Sequence, residues 1–321
     1  MSTKPNLHWM AEADLPVAGV ELGGTKCICT LGFGPNRIIA QNTVETGHPD
    51  STLSALHAIL ESWWSEFGFR ALGVASFGPV CLNEAHAQYG HILATNKKDW
   101  SDVDILGRLG AGFDVPVGFD TDVNGAALAE IAWGCGAGLA DFAYVTVGTG
   151  IGVGLIVNGQ PTRGIGHSEL GHMLVSRMAG DDFEGACVFH ADCVEGLASG
   201  SAIKRRLGAQ HVSDIAADHP VWEQVVDALA SMCHNLVCAT GPQRIAFGGG
   251  VMSRQPHLIA RIEAKLIESL AGYMQLPVGG AYIVAPELGV QSGPLGSLAL
   301  GIAVAPASAR TANHAVAAES A

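Results

Sequence analysis

Basic residues are scarce in this chain. Seventeen Lys and Arg stand against 30 Asp and Glu among 321 residues, a formal net charge of −13. A surface of that sign repels nucleic acid at long range, which excludes DNA or RNA as the expected partner. It repels a free nucleotide too, so any phosphate site has to act locally, through backbone N–H groups and Mg2+. Charged residues of either sign reach only 15%, while apolar residues make up 48%; such a chain buries a core and is not disordered. An uninterrupted apolar run is also missing. The longest, 142–157, is broken by Gly148, Gly150, Gly152 and Gly154, and reads as two strands around a glycine turn rather than a membrane helix. Residues 1–16 hold no apolar stretch behind a basic start, so no secretory leader is expected. The expected setting is therefore cytoplasmic and away from membranes, with the eight cysteines as thiols or metal ligands rather than disulfides.

Glycine is abundant instead, 42 residues without a collagen-like period. They cluster in short apolar contexts that suit tight strand turns or backbone approaching a ligand. The apolar run 17–20 leads into Glu21-Leu22-Gly23-Gly24-Thr25-Lys26 and resumes over 27–31, a β-hairpin; 38–44 is a third strand. Leu53, Leu56, Ile59, Leu60 and Trp63 share one face of a helix over 51–67. A buried strand over 71–77 stops at Gly78-Pro79. Another, 115–119, carries Asp120-Thr121-Asp122-Val123-Asn124 at its end, before a helix over 125–133. About 120 residues after the first hairpin the pattern restarts, with strands over 142–147 and 152–157. A long helix over 222–239, a strand at 245–247 feeding Gly248-Gly249-Gly250, a strand at 282–284 and a helix over 294–304 follow. This duplication predicts two α/β lobes facing a cleft. The expected division is a smaller N-terminal lobe over 1–122, a larger lobe over 123–290, a helix at 291–306 packing back on the first lobe, and a disordered Ala/Ser-rich tail at 307–321.

The glycine turns carry the first chemical suggestion. Gly23 and Gly24 have no Cβ to keep an anion from backbone N–H groups, and Thr25 and Lys26 add a hydroxyl and a positive charge; a plain hairpin turn is the other use of such a sequence. It is not a Walker A loop, because no Gly-Lys-Ser/Thr follows a four-residue gap. Residues 146–152, with Gly148, Thr149 and Gly150, repeat the mixture, and a phosphate clamped between paired lobes needs a donor-rich turn from each side. Gly248, Gly249 and Gly250 let a flat ligand such as a nucleobase lie on bare backbone, or simply turn a strand into a helix. In 120–124 one Asp or Asn accounts for a helix cap. Two Asp and an Asn leave a carboxylate over, at the strand end where α/β proteins place ligands, suited to take a proton from a substrate hydroxyl.

His172 followed by Cys187, His190 and Cys193 gives one His and then Cys-x2-His-x2-Cys. Two thiolates and two imidazoles complete a tetrahedral zinc set, and spacings of three let the ligands converge from one loop; otherwise these are four unrelated residues, two of them buried thiols. Four protein ligands leave no open position, so a structural ion is expected rather than a Lewis acid. The stretch His167-Ser168-Glu169-Leu170-Gly171-His172 is not a metalloprotease helix, since HExxH needs Glu directly after the first His. Glu169 and Glu195 flank the ligands and are placed either to accept hydrogen bonds from sugar hydroxyls or to stand as solvated loop charges.

In this order the motifs resemble the ROK family (repressor, open reading frame, kinase), most nearly its bacterial fructokinase branch, over residues 17–302. The match covers the first turn (19–26), Asp122 to Glu130, the second turn (146–154), Glu169-Leu170-Gly171-His172 with 187–195, and the closing 285–289 and 293–300. The resemblance implies an α/β, actin-like (ribonuclease H-like) two-lobed sugar kinase. It would transfer phosphate from ATP with Mg2+ to the 6-hydroxyl of a hexose, D-fructose first. Glucose, mannose or an N-acetylated hexosamine, or a non-catalytic sugar-sensing role, are the alternatives. Asp122 becomes the catalytic base. ATP falls to Gly23, Gly24, Thr25, Lys26, Gly148, Thr149, Gly150, Gly248, Gly249 and Gly250, and Glu21 steers Mg2+ through water. Asn96, Asp122, Glu169, His172 and Glu195 line the sugar. His172 serves both sugar and zinc if one ring nitrogen takes each. A structural Zn2+ and a homodimer are implied as well. Two positions depart from the family: Glu21 stands where most members carry Asp, and Thr95-Asn96-Lys97-Lys98-Asp99-Trp100 replaces a Thr-Pro-Lys-Pro-like stretch before Trp. With about sixteen residues ahead of the first strand, the helix-turn-helix module of the family's repressors is not expected.

Overall fold

A computed structural model of the protein describes residues 15–208 and 211–306; the tail expected over 307–321 lies outside them. In chain order the strands are β1 (Val17–Leu22), β2 (Lys26–Gly32), β3 (Ile38–Glu45), β4 (Leu72–Ser76), β5 (His91–Ile92), β6 (Val103–Asp104), β7 (Val117–Thr121), β8 (Phe142–Val147), β9 (Ile151–Val157), β10 (Gln160–Pro161), β11 (Arg244–Gly248) and β12 (Ile283–Val284). The helices are α1 (Pro49–Glu66), α2 (Ile105–Gly110), α3 (Asp122–Trp133), α4 (Val194–Ala198), α5 (Gly200–Leu207), α6 (Val221–Ala239), α7 (Gly249–Arg254), α8 (His257–Leu270) and α9 (Ser292–Val304). They fall into two compact units, one holding residues up to 129, 165–167 and from 291 onward, the other 130–164 and 168–290.

The first unit is built on a five-stranded sheet in the order β3-β2-β1-β4-β7. β1, β2 and β3 form an antiparallel meander, and β4 and β7 add to β1 in parallel. α1 begins with Pro49 at its first position, where a missing N–H costs nothing. Its Leu53, Leu56, Leu60, Trp63 and Trp64 are buried with Val20, Leu22, Cys29 and Val74 of the sheet, a helical stripe closing one core. α9 lies across β1, β4 and β7. Glycine permits this contact: a Cβ on Gly73 of β4 would fall 1.8 Å from the Ser297 carbonyl oxygen, and one on Gly118 of β7 would fall 2.2 Å from that of Leu300. Helix backbone thus rests directly on strand backbone.

The second unit repeats the plan, with order β10-β9-β8-β11-β12. β8, β9 and β10 run antiparallel, and β11 and β12 join β8 in parallel. α8 packs on α6 through Leu258, Ile262, Leu266 and Leu270, one residue per turn. Glu130 is fully buried, and its carboxylate accepts the backbone N–H groups of Cys135 (3.0 Å), Glu287 (3.1 Å) and Leu288 (3.1 Å). That satisfies a buried charge with three donors and ties two loops together. Among the described residues no helix is long and apolar enough to cross a membrane.

Candidate functional site

In the first unit the ladder sets the site's spacing. Leu22 pairs with Ser76, and Ser76 with Thr121, so the turn after β1 and the start of α3 share one end of the sheet. The turn is tightly drawn. Gly23 N donates to the Lys26 carbonyl (3.1 Å), while Thr46 Oγ1 donates to the Gly23 carbonyl (2.8 Å) and Lys97 Nζ to that of Gly24 (2.6 Å). A Cβ on Gly23 would meet the Lys26 oxygen at 2.7 Å, so the fold itself demands that glycine. Gly24 is different. A Cβ there meets nothing within 4 Å, and its φ is not in the left-handed region. The amides of Gly24 and Thr25 donate to no partner among the described residues.

Asp122 opens α3. The cap is neither of the Asp residues: Thr121 Oγ1 accepts from Asn124 N (3.2 Å). Asp120 is held by Thr121 N (2.7 Å) and Asn124 Nδ2 (2.8 Å). Asp122 accepts from the Val123 amide at 2.9 Å and is the carboxylate left over. Burial pushes its carboxyl up to about 6, against the backbone N–H groups of Val123 and its own residue. Such a group is mostly ionised at neutral pH yet basic enough to accept a proton. Glu21 is pushed up to about 7 by burial first and the Asp122 charge second, with Lys26 pulling the other way. The Glu21 carboxylate also abuts the first turn of α9, where a Cβ on Gly293 would lie 2.0 Å from its Oε1. Two buried carboxylates, one of them raised by the other's charge, fit a hard divalent cation such as Mg2+, which takes oxygen ligands and water.

The second unit contains a matching turn. Gly148 N donates to the Gly150 carbonyl (2.9 Å). The outward carbonyls are taken by α5: Gly200 N donates to Gly148 (2.8 Å), and Ser201 Oγ to Thr149 (2.8 Å). The amides of Thr149 and Gly150 donate to no partner among the described residues. Gly148, like Gly24, has open space where its Cβ would be and an ordinary φ. Gly150 is crowded, with Glu195 Oε2 at 2.4 Å from a Cβ position, and that same oxygen accepts from Ile151 N at 3.0 Å. Glu195, expected against the sugar, thus has one oxygen engaged on this turn. Gly248 and Gly249 end β11 and begin α7. Their Cβ positions fall 2.4 Å from the Tyr144 hydroxyl and 2.5 Å from the Val147 carbonyl, so packing accounts for both.

His172, Cys187, His190 and Cys193 come together, with their ligand atoms all within 4.8 Å of one another. Cys187 Sγ lies 3.6 Å from His172 Nδ1 and 3.9 Å from His190 Nδ1, and Cys193 Sγ lies 3.8 Å from His172 Nδ1. Zinc bonds of about 2.0–2.3 Å at tetrahedral angles put ligand atoms roughly 3.3–3.8 Å apart, so the set is compatible with zinc. The sulfurs also accept backbone N–H groups, Cys187 from Phe189 (3.4 Å) and Cys193 from Gly196 (3.2 Å), contacts of the kind that orient metal ligands. His172 offers Nδ1 to the cluster, leaving Nε2 for another partner. Its backbone is a short 3-10 turn, not a regular helix, and a Cβ on Gly171 would strike the Ile151 carbonyl at 1.9 Å. His167 belongs to the first unit and accepts from Val80 N at 3.0 Å.

Asn96 is exposed on a loop held by Thr95 N to Ser101 Oγ (3.1 Å) and by Trp100 Nε1 to the Gly47 carbonyl (3.0 Å). Glu169 is exposed beside the 3-10 turn. The sequence reading passes over Lys97, Thr46 and Ser201, which shape the two turns. Lys97 lies in the stretch that departs from the family pattern; Ser201 follows Ser199, whose hydroxyl caps α5.

Comparison with known proteins bears on the whole chain. The model of the ROK family matches residues 17–303. A fructokinase from Pediococcus pentosaceus is 37% identical over 284 residues, covering 88% of this chain and 96% of its own. A fructokinase from Zymomonas mobilis is 38% identical over 288 residues, covering 88% and 95%. The crystal structure of a ROK hexokinase from Thermus thermophilus superposes with a TM-score of 0.74 at 26% identity, over 90% of this chain and 98% of that one. The α/β fold is the two-lobed, actin-like fold of sugar kinases that the sequence implies. With a family match over residues 17–303 and relatives more than a third identical over most of their length, the chain belongs to the ROK family.

Proposed function

We propose that this protein is an ATP-dependent fructokinase, transferring the terminal phosphoryl group of ATP to the 6-hydroxyl of D-fructose. One observation carries the phosphate reading. Gly24 and Gly148 lack a side chain where neither backbone angle nor packing requires it, each beside amides with no partner among the described residues. A bare turn with idle N–H groups suits phosphate oxygens. Gly248, Gly249 and Gly250, at the end of parallel strand β11, are the further contact for the nucleotide. The choice of fructose rests on the two fructokinases, more than a third identical along almost their entire length.

In the reaction the sugar oxygen attacks the terminal phosphorus, the bond to the bridging oxygen of ADP breaks, and the hydroxyl proton passes to the Asp122 carboxylate. Asp122 aligns that hydroxyl and removes its proton as the new bond forms. Mg2+ bound with the nucleotide would screen the phosphate charge, and Glu21 is the carboxylate that would hold it, through water. Asn96, Glu169, Glu195 and His172 Nε2 are the sugar's hydrogen-bonding groups. His172, Cys187, His190 and Cys193 would hold zinc, which would fix the loop beside Glu169 and Glu195. The cysteines are all free thiols among the described residues, which suits a cytoplasmic enzyme.

The test is a panel of fructose, glucose, mannose and N-acetylated hexosamines with coupled ADP detection. Fructose is expected to give the highest kcat/KM. Asp122→Asn is expected to keep sugar affinity and lose about 10²–10⁴-fold in kcat. No ADP from any sugar would replace the enzyme with a sugar sensor, and full turnover by Asp122→Asn would remove Asp122 as the base.

A further inference from the structure

Two features of the second unit, the glycine turn and the Cys/His loop, are gripped by opposite ends of one helix. The first turn of α5 takes the turn's carbonyls, through Gly200 N and Ser201 Oγ at 2.8 Å each. The last turn takes the approach to Cys187. Arg206 makes a bidentate pair with Asp181, 2.7 Å at each nitrogen, with the two side chains only 10% and 8% exposed. The same guanidinium stacks 4.1 Å over Phe183, and Arg205 Nη1 donates to the Gly185 carbonyl at 3.0 Å. Arg177 completes the frame, pairing with Asp192 and donating to the Phe183 carbonyl. α5 has eight residues and spans about 12 Å. Alongside it Cys193 caps α4, and Glu195 in the first turn of α4 accepts from Ile151 N of the glycine turn.

Stability alone does not call for this arrangement. A nearly buried ion pair is often no better than apolar packing of the same volume, because both charges must be desolvated. A planar fork on a carboxylate does fix one register, which apolar contacts leave loose. The loop and the turn are therefore locked to the same short rigid body.

We propose that α5 is a strut through which the metal loop sets the shape of the phosphate turn, so that zinc occupancy and nucleotide affinity are coupled. Asp181, Arg206 and Ser201 are its positioning residues. This rests on reading the loop as a zinc site and the turn as a phosphate site, and it goes beyond both. Coupling is reciprocal, so it can be read without turnover. Zinc affinity of the full-length protein is measured by competition with a chelating dye, with and without saturating Mg·ADP, and the affinity for Mg·ADP is measured with and without zinc.

In the wild type, Mg·ADP is expected to raise zinc affinity roughly five- to tenfold, and zinc to raise ADP affinity by the same factor. In Asp181→Asn and in Ser201→Ala each ligand still binds, and the factor falls towards one. Ser201 is exposed, so its variant decides the matter if Asp181→Asn does not fold. A wild type without coupling, or folded variants that keep the full factor, would overturn the proposal. A wild type that holds no zinc overturns the metal reading, and one that holds zinc but binds no Mg·ADP overturns the phosphate reading. Either result removes the strut with it, and the separate measurements show which reading failed.

Discussion

One added methyl group at Gly73 measures how closely α9 lies on the first sheet. In Gly73→Ala the new Cβ would sit 1.8 Å from the Ser297 carbonyl oxygen, 2.5 Å from Gly301 N and 3.0 Å from Ser297 C. All three atoms are backbone, so no side chain can swing aside. Reaching even 3.0 Å from the oxygen requires helix and strand to part by about 1.2 Å. A gap of about 1 Å forfeits a quarter to a half of the dispersion well of each contact it opens, and Leu295, Leu298 and Leu300 are all buried on α9. Overpacking alone costs about 1–3 kcal/mol, and with the lost contacts the expected destabilisation is about 3 kcal/mol or more. In urea, with a slope of about 3 kcal/mol/M, the transition of this unit moves down by about 1 M at unchanged slope. Trp63 and Trp64, buried in the core that α1 forms with the same sheet, report it by fluorescence. A second effect follows at the site, because the first turn of α9 presses Gly293 on Glu21; kcat is expected to fall in parallel. A variant whose midpoint stays within about 0.2 M of wild type would show that backbone contact does not hold α9 in place.

Three further outcomes are expected. Gly24→Ala meets open space and an ordinary backbone angle, so stability should hold or rise by about 0.4–1 kcal/mol. Its methyl enters the anion's approach, and kcat/KM for ATP should fall at least tenfold; unchanged kinetics would sink the phosphate role of that turn. Glu21 and Asp122 carry carboxyls raised to about 7 and about 6. The folded protein therefore favours their protonated forms, and the stability they contribute is present below about pH 4 and lost as pH rises through 6 to 7. The melting temperature of ligand-free wild type should fall relative to Glu21→Gln across that window, while kcat/KM rises through about pH 6 as Asp122 ionises. A constant difference in melting temperature contradicts the raised Glu21. Glu130→Ala leaves three backbone N–H groups without their acceptor, at about 1–3 kcal/mol each. A thermal or urea melt showing a loss under 1 kcal/mol would mean that water replaces the carboxylate.

Much of the fold is legible because glycine turns punctuate it. Both hairpins stand where Gly23-Gly24 and the glycines from 148 interrupt apolar runs, and the helix read from Leu53 to Trp63 matches α1. The start of α3 is misplaced by three residues for a local reason. Asp and Asn look like the cap, yet Thr121 does the capping and releases Asp122 into the first turn. α8 is absent from the sequence reading although Leu258, Ile262, Leu266 and Leu270 recur every four residues; Pro256 ahead of it supplies no side-chain cap to mark a start. The four metal-type ligands are recognisable by residue type and spacing alone, and the structure gathers them. The clamp of Arg206 on Asp181 is not recognisable that way. Its partners are 25 positions apart and meet only because the intervening loop folds back. The triple glycine has a second use that its sequence hides: Tyr144 and Val147 pack where two of the three side chains would stand.

The rung that joins Leu22 to Ser76 and Ser76 to Thr121 has a bearing on how such a protein changes over generations. Two strand spacings, roughly 10 Å in all, separate the first turn from the aspartate, whatever the forty-odd residues between Ser76 and Thr121 do. Lengthening or recolouring the exposed tip at residues 83–87 leaves that ruler intact, whereas one residue inserted within β7 slips every mark on it. Preference among ligands is thus free to wander in the excursion while the chemistry keeps its address.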